Sequence, residues 1–170
     1  METTKKYELT SETIKFNDIT LHRIKALKDF SYVKAGDLGG WIEKEDNLSQ
    51  SGDAWIGGDA KVCKNAKVFG YAQVYGDAIV SDNAEVFGNA KVYDDAMCSD
   101  NAEVFGSSVV CDYAYVFGNA QVFGSSVVYG YANVRGDAKV YGMAKVYDNA
   151  VVCSDIKIFG NSRVCGDSYL

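Results

Sequence analysis

The sequence predicts an all-β protein, specifically a three-sided parallel β-solenoid preceded by a β-hairpin. Three observations lead to this prediction. A six-residue repeat of the form x-Ala-x-Val-x-Gly runs without insertion from Asn47 to Asp167. A longer period of eighteen residues lies within the short one. The first 47 residues lack the repeat and instead show alternating apolar and polar residues around a turn signal.

The hexad predicts a short strand followed by a corner. From Ile56 to Val164, every sixth residue is Val or Ile, with Cys98 as the exception, and the residue two positions earlier is nearly always Ala. Residues two apart in a strand face the same side, so Ala and Val are expected to point inward together. The Gly, Asp and Asn residues between these pairs tolerate left-handed backbone angles and are typical of corners.

The eighteen-residue period predicts three hexads per turn of the solenoid. The residue after the valine, read every eighteen positions, forms an almost wholly aromatic column: Phe69, Phe87, Phe105, Phe123, Tyr141 and Phe159. Three strands therefore close one triangular coil, and residues 48–170 correspond to about seven coils. Residues eighteen apart are then expected to lie directly above one another, as ladders of similar side chains.

Residues 1–47 are expected to form an N-terminal cap over the first coil, with residues 48–170 as the repeat domain. Ile14 and Phe16 alternate with polar residues, Asn17-Asp18 is a turn signal, and the alternation resumes at Ile19, which predicts a β-hairpin. Solenoids need atypical terminal units to cover their open ends. The segment 34–42 is rich in glycine, but its spacing matches neither a phosphate-binding loop nor a dinucleotide fingerprint. Turns and close backbone packing are the better interpretation.

Composition excludes several classes of function. The formal net charge is −6, and most of the excess acid lies in the repeat, so binding to nucleic-acid phosphates is not expected. No apolar run approaches the ~20 residues that cross a bilayer, and the N-terminus lacks the apolar core of a signal peptide. These features predict a cytoplasmic protein without membrane contact. The five cysteines fall on different faces or several coils apart, so no disulfide is expected.

The hexads resemble those of hexapeptide-repeat proteins, which form left-handed parallel β-helices and include many trimeric acyltransferases. The segments 21–27, 34–42 and 47–50, which read LHRIKAL, KAGDLGGWI and NLSQ, resemble the YdcK-like branch found in bacterial and phage genomes. The resemblance implies left-handed coils, and it makes a trimer and an acyl-CoA donor alternatives to consider.

The residues that catalysis would need are scarce. Acyltransferases of the resembled group use a coil histidine as general base, whereas the single histidine here, His22, precedes the repeat. A hydrogen-bonded histidine on the hairpin is the simpler interpretation, with His22 as catalytic base the alternative. The three histidines of β-helical zinc enzymes are absent, and no Cys-x-x-Cys occurs. Corner aspartates are typical of left-handed turns. We therefore predict no catalytic residue, no metal and no cofactor.

The aromatic column is the feature that exceeds structural need, and it predicts a contact surface. Its side chains are expected to point outward and to be covered by a second copy of the chain or by the N-terminal segment. In the neighbouring column, an antiparallel pair of chains would place Glu85 opposite Lys139 and Glu103 opposite Gln121, which favours a dimer, whereas the resemblance favours a trimer. A second candidate surface, with few charges, consists of Ile79, Met97, Tyr115 and Val151.

Three functional hypotheses follow from the sequence. The first is a non-catalytic, self-associating β-solenoid that acts as a scaffold or binding module. The second is a hexapeptide-type acyltransferase with His22 as an unconventional base and an acyl-CoA donor. The third, suggested by the phage association and the acidic repeat, is an inhibitor that binds a host or defence protein.

Overall fold

The computed structural model describes residues 5–170, and it has the predicted architecture of a three-sided parallel β-solenoid of about seven coils. Three sheets run along its length. Sheet A has nine strands, sheet B has seven and sheet C has six. Consecutive hexads belong to sheets B, A and C in turn, so partners in one sheet are eighteen residues apart. The predicted all-β class and eighteen-residue coil are confirmed.

The strands of the coils are short, and each spans only the outward residue and the inward valine of its hexad. Sheet A contains β1 (Tyr7–Phe16), β2 (Ile19–Ala26), β3 (Leu38–Ile42), β5 (Lys61–Val62), β8 (Ile79–Val80), β11 (Met97–Cys98), β14 (Tyr115–Val116), β17 (Asn133–Val134) and β20 (Val151–Val152). Sheet B contains β4 (Trp55–Ile56), β7 (Gln73–Val74), β10 (Lys91–Val92), β13 (Val109–Val110), β16 (Val127–Val128), β19 (Lys145–Val146) and β22 (Arg163–Val164). Sheet C contains β6 (Lys67–Val68), β9 (Glu85–Val86), β12 (Glu103–Val104), β15 (Gln121–Val122), β18 (Lys139–Val140) and β21 (Lys157–Ile158).

The core is a column of alanines and valines along the solenoid axis. Inward residues from Ala54 to Val152 are almost all completely buried, as both periods predict. Cys98 replaces a valine here and is also fully buried. Ser108 replaces an alanine and satisfies its buried hydroxyl by donating to the carbonyl oxygens of Phe105 (2.8 Å) or Val122 (3.1 Å). The core therefore accepts a polar atom where backbone acceptors are in reach.

The hairpin formed by β1 and β2 continues sheet A beyond the first coil, which confirms the predicted turn at Asn17-Asp18. β2 pairs with β3, and β3 pairs in parallel with β5 of the solenoid. Gly39 and Gly40 allow this junction. A Cβ atom on Gly39 would lie 2.5 Å from the carbonyl oxygen of Ile56, and one on Gly40 would lie 2.6 Å from that of Ala60. The glycine-rich segment serves close backbone packing, as predicted.

Two side chains of the hairpin cover backbone carbonyls at the first coil. The buried Lys6 Nζ donates to the carbonyl oxygens of Ala54 (2.8 Å) and Gly52 (3.3 Å). The Tyr7 hydroxyl lies 2.7 Å from the carbonyl oxygen of Leu48. These bonds replace partners that a preceding coil would supply. Burial lowers the pKa of Lys6 to about 8.

The single short helical segment within residues 5–170 is a 3₁₀ turn, Glu45–Asn47, which leads into the first coil. Asn47 is completely buried there, and its amide donates to the carbonyl oxygens of Lys64 (3.1 Å) and Ala66 (2.9 Å). Over the described part of the chain, no helix is long and apolar enough to cross a membrane.

Candidate functional site

The three corners of the solenoid carry different chemistry, and each is a ladder of side chains eighteen residues apart. The corner between sheets C and B carries the aromatic ladder: Phe69, Phe87, Phe105, Phe123, Tyr141 and Phe159. The corner between sheets B and A carries the tyrosine corner: Gly57, Tyr75, Tyr93, Cys111, Tyr129, Tyr147 and Cys165. The corner between sheets A and C carries the asparagine ladder: Asn65, Asn83, Asn101, Asn119 and Asp137.

The rings of the aromatic ladder stack face to face along the whole solenoid. Centroids of successive rings from Phe69 to Tyr141 are 4.9 Å apart, with planes within 5° of parallel. The last step, from Tyr141 to Phe159, is looser at 5.6 Å and 17°. The structure thus brings together all six residues that the sequence predicted as one column.

The aromatic ladder is less exposed than the sequence suggested. Its members from Phe69 to Tyr141 are half-buried, and only the terminal Phe159 is largely exposed, at 56%. Both faces of each interior ring are covered by the neighbouring rings, so only the ring edges reach solvent. Stacking therefore accounts for much of the burial that we expected a second copy to supply.

Loss of one interior ring should destabilise the fold more than loss of the terminal ring. Replacing Phe105 with leucine keeps an apolar side chain but removes two stacking contacts, which should lower the free energy of unfolding by about 1–2 kcal/mol. Replacing Phe159 with leucine removes one looser stacking contact and should lower the free energy of unfolding by about 0.5 kcal/mol. Chemical denaturation of both variants measures the difference, and equal losses would show that stacking contributes nothing beyond burial.

A row of charged and polar side chains lies on the outer surface of sheet C, beside the aromatic ladder. We call it the charged row, and the strand register places its members in this order along the axis: Lys67, Glu85, Glu103, Gln121, Lys139 and Lys157. Within residues 5–170, none of its charged groups forms an ion pair. Gln121 donates to Glu103 at 2.9 Å. The charged row therefore offers uncompensated charges of both signs.

The asparagine ladder on the other side of the charged row was not identified from the sequence. Each side-chain amide donates to the side-chain oxygen of the next coil, from Asn65 through to Asp137, at 2.9–3.2 Å. Asn at every eighteenth position was visible in the sequence. It could equally mark a turn preference, and only the coil spacing shows the hydrogen-bonded chain.

The second predicted surface, Ile79, Met97, Tyr115 and Val151, lies on the outer side of sheet A. The strand register aligns these four residues, but Asn133 interrupts them between Tyr115 and Val151. At one end the hairpin leans over the row, and Phe16 and Ile19 line a cavity of about 210 Å³ together with Ile79 and Met97. The Tyr115 hydroxyl lies 2.9 Å from Ser99 Oγ. The surface is thus partly covered by the chain's own hairpin.

His22 lies on β2, outside the coils. Its Nδ1 is 3.4 Å from the carbonyl oxygen of Thr10 on the paired strand. This contact fits the hydrogen-bonded histidine that we considered the simpler interpretation.

The cysteines are all unpaired, which confirms the prediction of no disulfide. Cys111, in the tyrosine corner, lies near two corner aspartates, and its Sγ and the carboxylate oxygens of Asp94 and Asp112 are within 4.8 Å of one another. One carboxylate oxygen of Asp112 accepts a hydrogen bond from the Gly130 amide at 3.0 Å. Burial raises the pKa of the Cys111 thiol.

These features define the class of protein: a parallel β-solenoid of hexapeptide coils with side-chain ladders at its corners and a hairpin cap. Comparison with known proteins narrows the class. Residues 72–86 match the family model described as YdcK Beta solenoid repeat. Over 60 residues the chain is 38% identical to "Uncharacterized acetyltransferase YdcK" of Escherichia coli (strain K12). Both matches confirm the predicted resemblance to the YdcK-like β-helix family.

The match to the Escherichia coli protein covers 31% of this chain and 18% of that protein. The chain therefore aligns with less than a fifth of the relative's length. The shared part supports the fold, and the activity in the relative's name belongs to that protein.

Proposed function

We propose that the protein is a non-catalytic β-solenoid scaffold that pairs with a second copy of itself through sheet C. The observation that carries this proposal is the order of charges in the charged row, beside a continuous aromatic ladder. The interface would consist of the charged row at its centre, with one ladder on either side. We also propose that the protein is located in a reducing compartment such as the cytosol, because all five of its cysteines are free thiols.

Symmetry limits how two copies can meet through sheet C. A two-fold axis along the solenoid would make the copies parallel and place each residue of the charged row opposite its own equivalent. Glu85 would then face Glu85, which is repulsive. A two-fold axis along the strands makes the copies antiparallel and reverses the order of the row. It also brings the same corner of each copy together, so aromatic ladder meets aromatic ladder.

One antiparallel register pairs every acidic residue of the charged row with a lysine. If the axis passes through Gln121, Glu103 faces Lys139 and Glu85 faces Lys157. Each pair occurs twice because of the two-fold symmetry. This register differs by one coil from the pairing expected from the sequence, which placed Glu103 opposite the uncharged Gln121. Four ion pairs favour the shifted register, and complementary charges of this kind mainly determine orientation and partner choice.

Reversing one charge should break the pair, and reversing its partner should restore it. Glu103→Lys places lysine opposite Lys139 at two points, so the assembly should dissociate to a single chain of 18.5 kDa. Lys139→Glu should do the same, and the double variant should recover twice that mass. Light scattering at low salt measures each mass.

Lys67→Glu provides the matched control, because the shifted register leaves Lys67 without an opposing residue. Its mass should equal that of the unaltered protein. Phe105→Glu and Phe123→Glu test the aromatic ladder in the same way and should give single chains. A protein that is monomeric without substitution, or an assembly that none of these changes alters, would contradict the proposal.

Acetyl transfer is a second candidate function, and the name of the Escherichia coli relative is what favours it. The only histidine available as a base is His22, on the hairpin. If this candidate is correct, the protein should release coenzyme A from acetyl-CoA in the presence of an acceptor, and His22→Ala should abolish the release. Full turnover by His22→Ala would eliminate His22 as the base.

A further inference from the structure

A cavity of about 470 Å³ opens at the N-terminal end of the tyrosine corner, far from sheet C. Tyr32, Asp37 and Leu38 line it from the N-terminal segment, and Trp55, Gln73 and Tyr75 line it from the first two coils. Its volume lies within the range of small-molecule pockets, roughly 300–1,000 Å³.

The cavity exists because Gly57 interrupts the tyrosine corner at its first position. Tyr75 stacks on Tyr93 with centroids 4.8 Å apart, and Gly57 lies one coil before Tyr75 in the same column. One face of the Tyr75 ring therefore has no ring from this column against it. The space beside Gly57 is where a further stacked ring would lie.

The backbone does not require glycine at this position. The equivalent residues in the next two coils are tyrosines, and a Cβ atom on Gly57 would lie at ordinary contact distances, 3.7 Å from Trp55 Cδ1 and 3.8 Å from Tyr75 Cβ. Most other corner glycines have positive φ angles, whereas Gly57 does not. The absence of a side chain at Gly57 thus leaves a space rather than relieving strain.

Three polar groups without partners face this space. Trp55 as a whole is only 4% exposed, but its indole Nε1 is not a fully buried atom and makes no hydrogen bond with any residue from 5 to 170. Asp37 uses one carboxylate oxygen, Oδ2, to accept from the Lys34 amide at 2.8 Å, which leaves Oδ1 free within the described chain. The Gln73 amide also has no partner there. None of these groups is a fully buried polar atom, so all three remain open to the cavity and available to a ligand there.

The loop that forms one wall of the cavity is held in place by hydrogen bonds within the loop and by a ring contact. Phe30 and Val33 exchange two backbone hydrogen bonds of 3.0 and 2.8 Å, which places Tyr32 at the tip of a tight turn. Asp29 accepts from the Ala35 amide at 2.9 Å. The Phe30 ring packs edge-on against Trp55, with centroids 5.4 Å apart. Because these contacts already fix the loop beside the cavity, little conformational entropy of the loop is lost when a ligand binds.

We propose that this slot binds a neutral, planar nitrogen heterocycle that carries an amino group, as adenine and cytosine do, by stacking it on Tyr75. The ring occupies the place of the missing tyrosine. Trp55 Nε1 donates to a ring nitrogen, and Asp37 Oδ1 accepts from the amino group. Among residues 5–170, no lysine or arginine lines the slot, so a nucleoside fits its charge better than a nucleotide does.

Adenosine and inosine test the proposal directly, because they differ in the amino group that Asp37 would recognise. The protein has two tryptophans, so a ¹H–¹⁵N correlation spectrum shows two indole signals. Adenosine at millimolar concentration should shift the Trp55 signal and leave Trp41 unmoved, since Trp41 Nε1 already donates to Asp59 at 3.4 Å. Inosine should bind at least about tenfold more weakly, because its carbonyl would face the carboxylate.

Substitutions separate the slot from non-specific binding. Gly57→Tyr should fill the slot and abolish the shift, whereas Gly57→Ala adds only a Cβ that has room and should retain it. Asp37→Asn should remove the preference for adenosine, and the asparagine oxygen can still accept from Lys34. The remaining backbone signals report whether each variant is folded.

Three results with the unaltered protein would overturn the proposal. These are no shift of the Trp55 signal with adenosine, equal binding of adenosine and inosine, and equal binding of phenol, which has a ring but no ring nitrogen. Retention of full binding by a folded Gly57→Tyr variant would also overturn it. None of these outcomes depends on whether two copies pair through sheet C.

Discussion

Replacing Gly39 with alanine should lower the free energy of unfolding by about 3 kcal/mol, which is large for the addition of one methyl group. The new Cβ would lie 2.5 Å from the carbonyl oxygen of Ile56 and 2.6 Å from Trp55 Cζ2. A backbone carbonyl cannot rotate away as a flexible side chain can, so β3 must separate from the first coil. The hairpin cap is joined to the solenoid through β3, and its packing would be lost with this movement.

Chemical denaturation measures the loss, and tryptophan fluorescence locates it. Trp55 should become more exposed when the cap separates, with a red shift of its emission. Gly57→Ala is the matched control, because it adds the same atom where there is room and should change stability by less than about 0.5 kcal/mol. If both variants were equally stable, close packing would not explain Gly39.

Alkaline pH should destabilise the protein through its buried thiols, and Cys98→Val should reduce the effect. Burial raises the pKa of Cys98 from 9.0 to about 12. A thiol whose pKa is raised in the folded state contributes fully to stability below its unfolded pKa of 9.0. The contribution is lost as pH rises from that value towards 12, because the unfolded state releases its proton first. Between pH 8 and a pH of about 10.5, the loss for Cys98 is about 2 kcal/mol.

The difference between the two proteins isolates this residue, because other groups titrate in the same range. Burial also raises the pKa of Cys63 to about 11, whereas the lowered pKa of Lys6 acts in the opposite direction between about 8 and 10.5. Valine is the residue found in nearly all equivalent positions, so it should fit the core. Urea denaturation at pH 8 and near pH 10.5 should show the advantage of Cys98→Val growing by about 2 kcal/mol. If the difference in unfolding free energy between the two proteins were the same at both pH values, the argument from burial would be contradicted.

Much of the fold could be predicted because the same six-residue pattern recurs many times along the chain. A single hexad would not show which of its residues face the core. The spacing of Ala60 and Val62, two residues apart, recurs in nearly every coil and is consistent with only one inward face. The eighteen-residue column similarly predicted that Phe87 lies on Phe105, and the two rings are stacked at 4.9 Å. Periodicity specifies which residues share a face and a corner, since each coil repeats the geometry of the one before.

The exposure of side chains could not be predicted in the same way. Trp55 occupies an outward position, like Gln73 and Lys91 in the same column, and the pattern alone would leave it in solvent. It is buried because the loop before β3 folds over it. That loop has no repeat, and its position depends on contacts with residues far away in the chain. The slot at Gly57 was missed for the same reason.

The six-residue and eighteen-residue periods alone were sufficient for the parallel β-solenoid, its triangular coil and the order of residues in each ladder, because these follow from local backbone geometry repeated at fixed spacing. The tertiary structure decided how far the aromatic ladder is buried, how Lys6 and Tyr7 cover the first coil, and where a cavity remains open. The burial of the aromatic ladder depends on how closely its rings stack, and the other two properties depend on how the unrepeated N-terminal segment packs against the coils. Packing between distant segments leaves no period in the sequence.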